Sequence, residues 1–252
     1  MPRDSIYLQK GYAEQYDKDR FGGPFGNYLE AQELRTFLSL TDGCTGRVLD
    51  AGSGTGKLAI ALMRKSREVI AIDSSEEMLR IGREKADKEM MKLRSAICDV
   101  QHLCFRENTF ECVISSRLLM HLNHWRKGLS ELCRVARGIV IVDFPPLRGF
   151  SGLDSTLKRY RKFFLPNTRA YRAFLMSSIA KELQKHHFRI VVVKKQFFLP
   201  IAFHRWLNRP WLSLKIEKLC RILGLTWLLG SPVTLKAVKN GYTEQHKGTD
   251  MC

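Results

Sequence analysis

The sequence predicts an α/β protein with a doubly wound, mostly parallel sheet and helices on both faces. Three observations carry that expectation. Short apolar segments alternate with helix-patterned ones from residue 47 to residue 143, the signature of βαβ units. A glycine turn, Gly52-Ser-Gly-Thr-Gly56, joins the first such strand to the first such helix. The purely apolar runs, such as 138–142 and 190–193, are short, far from the roughly 20 residues that span a bilayer.

The elements follow in order. Residues 1–25 are polar and aromatic, with Tyr7, Tyr12, Tyr16, Phe21 and Phe25 and the sequence Gly22-Gly-Pro24. They read as a short helix around Tyr12 and then a loop, an arm able to fold over a ligand. Leu29, Leu34, Phe37 and Leu38 recur at helical spacing over 27–40, and Thr41-Asp-Gly43 ends that helix. Strands are expected at 47–50, 69–73, 95–98, 110–115 and 138–143, with helices at 58–65, 76–91 and 125–136 between them. Ser74 or Ser75 caps the 76–91 helix, which opens on Glu76 and Glu77. Pro145-Pro146 and Gly149/Gly152 then break the alternation. A basic helix over 154–164, a turn at Asn167-Thr168, a helix over 179–186 and strands at 188–194 and 231–238 complete seven strands. Leu212, Ile216, Leu219 and Leu223 share one helix face opposite Lys215, Lys218 and Arg221. That pattern reads as an ordinary core stripe or as an amphipathic surface helix. No repeat or linker divides the chain. We expect one domain over 1–240, comprising an arm (1–40), a ligand-binding core (41–144) and an elaboration (145–240), then a disordered tail over 241–252.

Composition narrows the partners. The chain has 252 residues and a formal net charge of +17. Residues 1–150 hold 23 Lys/Arg and 20 Asp/Glu, whereas residues 151–252 hold 19 and 5. Such asymmetry suits an anionic partner or a merely solubilising surface. The seven cysteines form no Cys-x-x-Cys pair, and the first residues lack the apolar core of a signal peptide. Both features predict a cytoplasmic protein with reduced thiols. His186-His187 are adjacent, and neighbours on a helix do not face one metal, so no metal is expected. No P-loop, zinc-protease or Gly-x-Ser-x-Gly motif occurs.

The stretch Arg47-Val-Leu-Asp-Ala-Gly-Ser-Gly-Thr-Gly-Lys57 is the centre of the expected site. A strand entering a helix through glycines leaves amide groups pointing at a ligand. A dinucleotide dehydrogenase needs its third glycine at position 57, where this chain has Lys57. Asp73 ends the second strand 17 residues after Gly56, a place from which a carboxylate accepts both hydroxyls of a ribose; the alternative is an aspartate that starts a helix.

The G-x-G-x-G spacing behind Val48-Leu-Asp50 resembles the first motif of class I S-adenosylmethionine-dependent methyltransferases. Cys98-Asp-Val100 with Phe105 and Phe110, and Phe110-Glu-Cys-Val-Ile-Ser-Ser-Arg-Leu-Leu-Met-His-Leu122, resemble later motifs of the ubiquinone/menaquinone-biosynthesis type, and Trp125–Val135 resembles the helix that follows. The resemblance covers about residues 45–143 and departs where many members carry a Lys-Pro-Gly-Gly turn before the fifth strand. It implies a Rossmann-like seven-stranded sheet and S-adenosylmethionine as cofactor, with S-adenosylhomocysteine as product. It implies that Asp50, Gly52, Ser53, Gly54 and Gly56 hold the methionine end, and that Asp73 and Ser74 hold the ribose. Met78, Asp99 and Val100 would then surround the adenine, and Ser115 and Ser116 would offer backbone to the methionine part. Methyl transfer needs a base only if the acceptor must lose a proton. His121 is the best placed, and a histidine packing the next helix is the alternative. Tyr12, Tyr16, Arg117, His124 and Tyr171 are acceptor-side candidates. Asp143-Phe-Pro-Pro146 resembles an amino-methylating D-P-P box but follows the fifth strand rather than the fourth, so we discount it.

The acceptor is open. Basic residues interleaved with Phe and Trp after residue 151 fit an anionic membrane surface, with peripheral contact at the inner membrane, or RNA. The apolar run 197–203 favours a small or lipid-like acceptor. RNA methylation by the basic part, or cofactor binding without turnover, are the alternatives. Nothing speaks to oligomeric state.

Overall fold

In the computed structural model seven strands form one sheet in the order β3-β2-β1-β4-β5-β7-β6. The structure describes residues 11–147, 172–199, 203–204, 207 and 209–243. The strands are β1 (Val48–Ala51), β2 (Val69–Asp73), β3 (Arg94–Ile97), β4 (Phe110–Ser115), β5 (Ala136–Phe144), β6 (Phe188–Phe197) and β7 (Ser231–Lys239). The helices are α1 (Tyr12–Phe21), α2 (Gly23–Leu40), α3 (Lys57–Met63), α4 (Glu76–Lys88), α5 (Trp125–Val135), α6 (Met176–Lys185), α7 (Pro210–Ile222) and α8 (Leu225–Leu229). β1 pairs in parallel with β2 and β4, β2 with β3, and β4 with β5, while β7 runs antiparallel between β5 and β6. The doubly wound, mostly parallel sheet predicted from the sequence is therefore the fold observed. Strand order reverses between β1 and β4, and in such sheets ligands bind beyond the carboxyl ends at that point.

Alternation along the strands builds two cores. Leu49, Ile72, Val113 and Val140 pack against Leu129 and Leu132 of α5 and Ile179 and Leu183 of α6. Val48, Ala71, Ile114 and Ile139 pack on the other face against Phe37 of α2 and Leu58 and Leu62 of α3. Strands buried on both faces read as unbroken apolar runs rather than alternation, as in Ile139–Val142 of β5, where every residue is buried.

Several boundaries move. Pro24 is tolerated in the first turn of a helix, so α2 starts at Gly23 rather than after the Gly-Gly-Pro segment. Helix α5 runs directly into β5, with no intervening turn. Tyr242, which the sequence places in a tail from residue 241, belongs to the described fold. The Tyr242 hydroxyl donates to Glu111 Oε1 at 2.5 Å, and its ring covers Gly138. An aromatic anchored at both ends does not behave as free chain. The expectations for Tyr7, residues 154–168, Tyr171, Trp206 and residues 244–252 lie outside the described residues. No helix among the described residues is long and apolar enough to cross a membrane.

Candidate functional site

A cleft of about 130 Å³ opens at the carboxyl ends of β1, β2 and β4, floored by the glycine turn and roofed by α1 and α2. The turn is bonded to its neighbour strand: the Gly52 and Ser53 amides donate to Ile72 O at 2.8 and 2.9 Å. Gly54 has φ +53 and open space where a Cβ would stand, so backbone is the first thing a ligand meets there. Gly56 serves packing instead. It has φ +74, and a Cβ on it would come within 3.1 Å of Gly82 Cα in α4.

Two carboxylates define the floor. Asp73 accepts from the Gly54 amide at 2.9 Å and from the Ser75 amide at 2.9 Å. Burial pushes its carboxyl up, against these amide bonds. Ser75, not Ser74, caps α4, its hydroxyl accepting from the Met78 amide at 3.4 Å. Asp50 is 1% exposed. Burial, then the charge of Asp73, raises its carboxyl to about 7, while the Ala59 amide bonds to it. Among the described residues its Oδ2 has no hydrogen-bond partner, nor have Ser53 Oγ, Ser115 Oγ and Arg117 Nε. Buried polar atoms are almost always satisfied; of these four, Asp50, Ser53 and Arg117 line the cleft and suit a polar ligand.

The roof is charged and aromatic. Glu33 on α2 pairs with Arg117 at 3.0 Å and Arg20 at 3.6 Å; burial pushes its carboxyl up to about 7, against the pull of Arg20. Arg117, Arg20 and Lys57 all lie over the Phe21 ring, Lys57 at 4.0 Å. Arg117 holds a left-handed backbone, φ +55, where its amide donates to Asp143. A non-glycine residue in that conformation at a ligand site is strained and held by its surroundings. Burial also raises Asp143 to about 7.

Of the residues singled out in the sequence, Asp50, Gly52, Ser53, Gly54, Asp73, Ser74, Met78, Ser116, Arg117, His121 and Tyr16 line this cleft. Gly56, Val100 and Ser115 are buried beside it, and Asp99 is exposed on the loop after β3, accepting from the Gln101 amide at 2.9 Å. Tyr12 stacks edge-on against Tyr16 at 6.0 Å, and His124 is exposed at the start of α5; neither lines the cleft. Sequence reasoning missed Arg20, Glu30 and Glu33, and gave no role of their own to Phe21, Thr55 and Lys57, which also line the cleft. One signal was present: Glu33 interrupts the Leu29–Phe37 stripe of α2 at helical spacing, and a carboxylate on a buried face needs a partner.

Residues 48–138 match the family model described as a methyltransferase domain. The chain resembles methyltransferase domains over that segment. It is 34% identical over 94 residues to the ubiquinone/menaquinone biosynthesis C-methyltransferase UbiE of Bordetella parapertussis. The match covers 36% of this chain and 36% of that protein, so it spans about a third of the length of such relatives. Over the whole fold, magnesium protoporphyrin IX methyltransferase of Synechocystis PCC 6803 with bound S-adenosylhomocysteine superposes with a TM-score of 0.66 at 18% identity, covering 94% of this chain and 98% of that one. The [4+2]-cyclase SpnF superposes with a TM-score of 0.59 at 18% identity, covering 83% and 80%. A fold shared with a cyclase does not by itself name a reaction. Among the described residues, no three His, Cys, Asp or Glu side chains are grouped to hold a metal ion.

Proposed function

We propose that the protein binds S-adenosylmethionine and transfers its methyl group to a small-molecule or lipid-like acceptor by in-line displacement. The observation that carries this reading is Asp50 Oδ2, a buried carboxylate oxygen without a partner beneath the glycine turn. It suits the ammonium of a methionine moiety, and Asp73, already oriented by two amides, suits a ribose diol. Met78 lines the same wall and offers an apolar surface to adenine.

S-adenosylmethionine would supply the reactive carbon and the leaving group. The protein's part is alignment and exclusion of water. Tyr16 and Phe21 of α1 cover the cleft, and Leu34, Phe37 and Leu118 give it an apolar wall. Burial raises the Tyr16 phenol, so at neutral pH it donates a hydrogen bond rather than acting as a base. His121 lines the cleft and is the proton acceptor for an acceptor hydroxyl or amine. A site roofed by two helices suits a compact acceptor better than a polymer. Relatives named for ubiquinone/menaquinone biosynthesis and for magnesium protoporphyrin IX support the same class.

S-adenosylhomocysteine should raise the melting temperature, and Asp73→Ala should remove the shift; no shift with the wild type sinks the proposal. A labelled methyl group should then enter the lipid or small-molecule fraction of a cell extract. Label in RNA would overturn the acceptor class, and no label in any fraction would leave a binding protein without turnover.

A further inference from the structure

Helix α7 is packed with its polar side inward. Ser213, Glu217 and Cys220 are its buried residues. Trp211 is 55% exposed, Leu219 57%, Ile222 72% and Leu223 62%. Around Gly224 the pattern continues into α8, whose buried residue is Thr226 while Trp227 stands 80% exposed beside Leu228. Of the stripe that could have been core, Leu219 and Leu223 are exposed while Leu212 and Ile216 are half-buried.

This arrangement is held rather than loose. Glu217 accepts from the Phe198 and Leu199 amides at 2.8 and 2.9 Å and from His204 at 2.9 Å. His204 is fully buried and stacks on Phe25 of α2 at 4.9 Å. Lys195 Nζ donates to the Trp227 and Leu228 carbonyls at 2.6 and 2.9 Å, closing the end of α8. The buried glutamate thus fixes which face of α7 points out.

Charge names the occupant. Arg209, Lys215, Lys218 and Arg221 are exposed among these apolar side chains. Between residues 183 and 243 the single acidic residue is Glu217, and it is buried. Contiguous exposed apolar surface on a soluble domain marks a contact site, and lysines rimming Trp, Leu and Ile suit a bilayer interface. RNA would use the basic groups and stack on the tryptophans, but it has no use for Leu219, Ile222 and Leu223.

We propose that α7 and α8 form a docking face for an anionic lipid surface. The face lies on the ligand edge of the sheet. Strand β7 starts right after α8 and pairs Ser231 with Phe197 and Val233 with Phe144, the carboxyl ends of β6 and β5. An acceptor leaving a bilayer would reach the cleft along that edge, a point that rests on the lipid-like acceptor class proposed above.

The test is flotation of the full chain with phosphatidylcholine vesicles with and without phosphatidylglycerol. The protein should float with the anionic vesicles, with a blue shift in tryptophan emission, and release in high salt. Trp227→Ser with Leu228→Ser should weaken partition by about tenfold, and Lys215→Gln or Lys218→Gln by about fivefold each. All these variants should keep the wild-type thermal shift with S-adenosylhomocysteine, which shows that they fold and separates failure of docking from failure of the cofactor reading. Absence of flotation with anionic vesicles overturns the proposal, as does equal flotation with neutral ones. So does retention on RNA alone, or a vesicle-free dimer that Leu228→Ser dissociates.

Discussion

The Asp17 carboxylate on α1 accepts a hydrogen bond from Thr55 Oγ1 at 2.9 Å, tying the N-terminal helix to the middle of the glycine turn. Asp17 also pairs with Lys57 at 3.5 Å and with Lys85. Through that contact Tyr16, Arg20 and Phe21 are held over the cleft. The helix acts as a cover, and partly exposed pairs of this kind are individually weak. Asp17→Ala should therefore cost about 1 kcal/mol of stability yet speed S-adenosylhomocysteine release about tenfold, as measured by stopped-flow displacement. Thr55→Val should act in the same direction, and the two together should be less than additive. An unchanged release rate would separate α1 from ligand retention.

Asp50 links ligand binding to pH. Its folded-state value of about 7 lies above the ordinary aspartate value of 3.8, because of burial and then the Asp73 charge. Between those values the folded protein holds a proton that the unfolded chain has released, so this carboxyl makes stability fall as pH rises through the window. Glu33 and Asp143 push the same way. Without ligand, Asp50→Asn should melt higher than wild type at pH 8 and lose part of the difference at pH 5. An ammonium requires the carboxylate, so S-adenosylhomocysteine affinity should drop as pH falls below 7, by up to about tenfold per unit. Calorimetric titration of Asp50→Asn should show weak binding with that pH dependence removed.

Gly56 and Gly82 let α4 approach the glycine turn. A Cβ at Gly56 meets the Gly82 Cα at 3.1 Å and also demands φ +74. Gly56→Ala should lose about 1–3 kcal/mol in urea unfolding. Gly82→Ala brings its Cβ to 3.4 Å from Gly56 and sits in a helix, where alanine is favoured over glycine by up to about 1 kcal/mol. Its net effect should stay within about 1 kcal/mol. Equal losses would refute the assignment of Gly56 as the strained partner.

What the sequence made legible was local. Strand–helix alternation, the glycine turn, Asp50, Asp73 and the serine cap of α4 are each written in a few consecutive residues, and periodicity reads such signals. The roof was not legible in the same way. Arg20, Glu33, Arg117 and Asp143 come from four separate segments and matter only once the sheet brings them together. The orientation of α7 was hidden for another reason. Its wheel carries apolar and basic residues, and hydrophobicity alone points Leu219 and Leu223 inward. The observed orientation is set by Glu217, whose three donors come from Phe198, Leu199 and His204, contacts that no helical period records.

That latch gives the last prediction. Burial would raise Glu217, but the His204 ring and the two amides outweigh it and hold its carboxyl below the ordinary glutamate value of 4.5. A depressed carboxyl contributes stability that is complete above its unfolded value and lost as pH falls through the folded one. Helix α7 should therefore loosen in acid before the sheet does, seen as early loss of amide-exchange protection over 210–222 as the pH falls below 4.5. Glu217→Ala should produce the same loosening at neutral pH, leaving three donors without an acceptor at a cost of about 2–4 kcal/mol. Glu217→Gln keeps a carbonyl oxygen for the amides and should cost less. If Glu217→Ala leaves exchange over 210–222 at wild-type rates, the outward set of Trp211 and Ile222 has another cause, and the docking face loses its structural support.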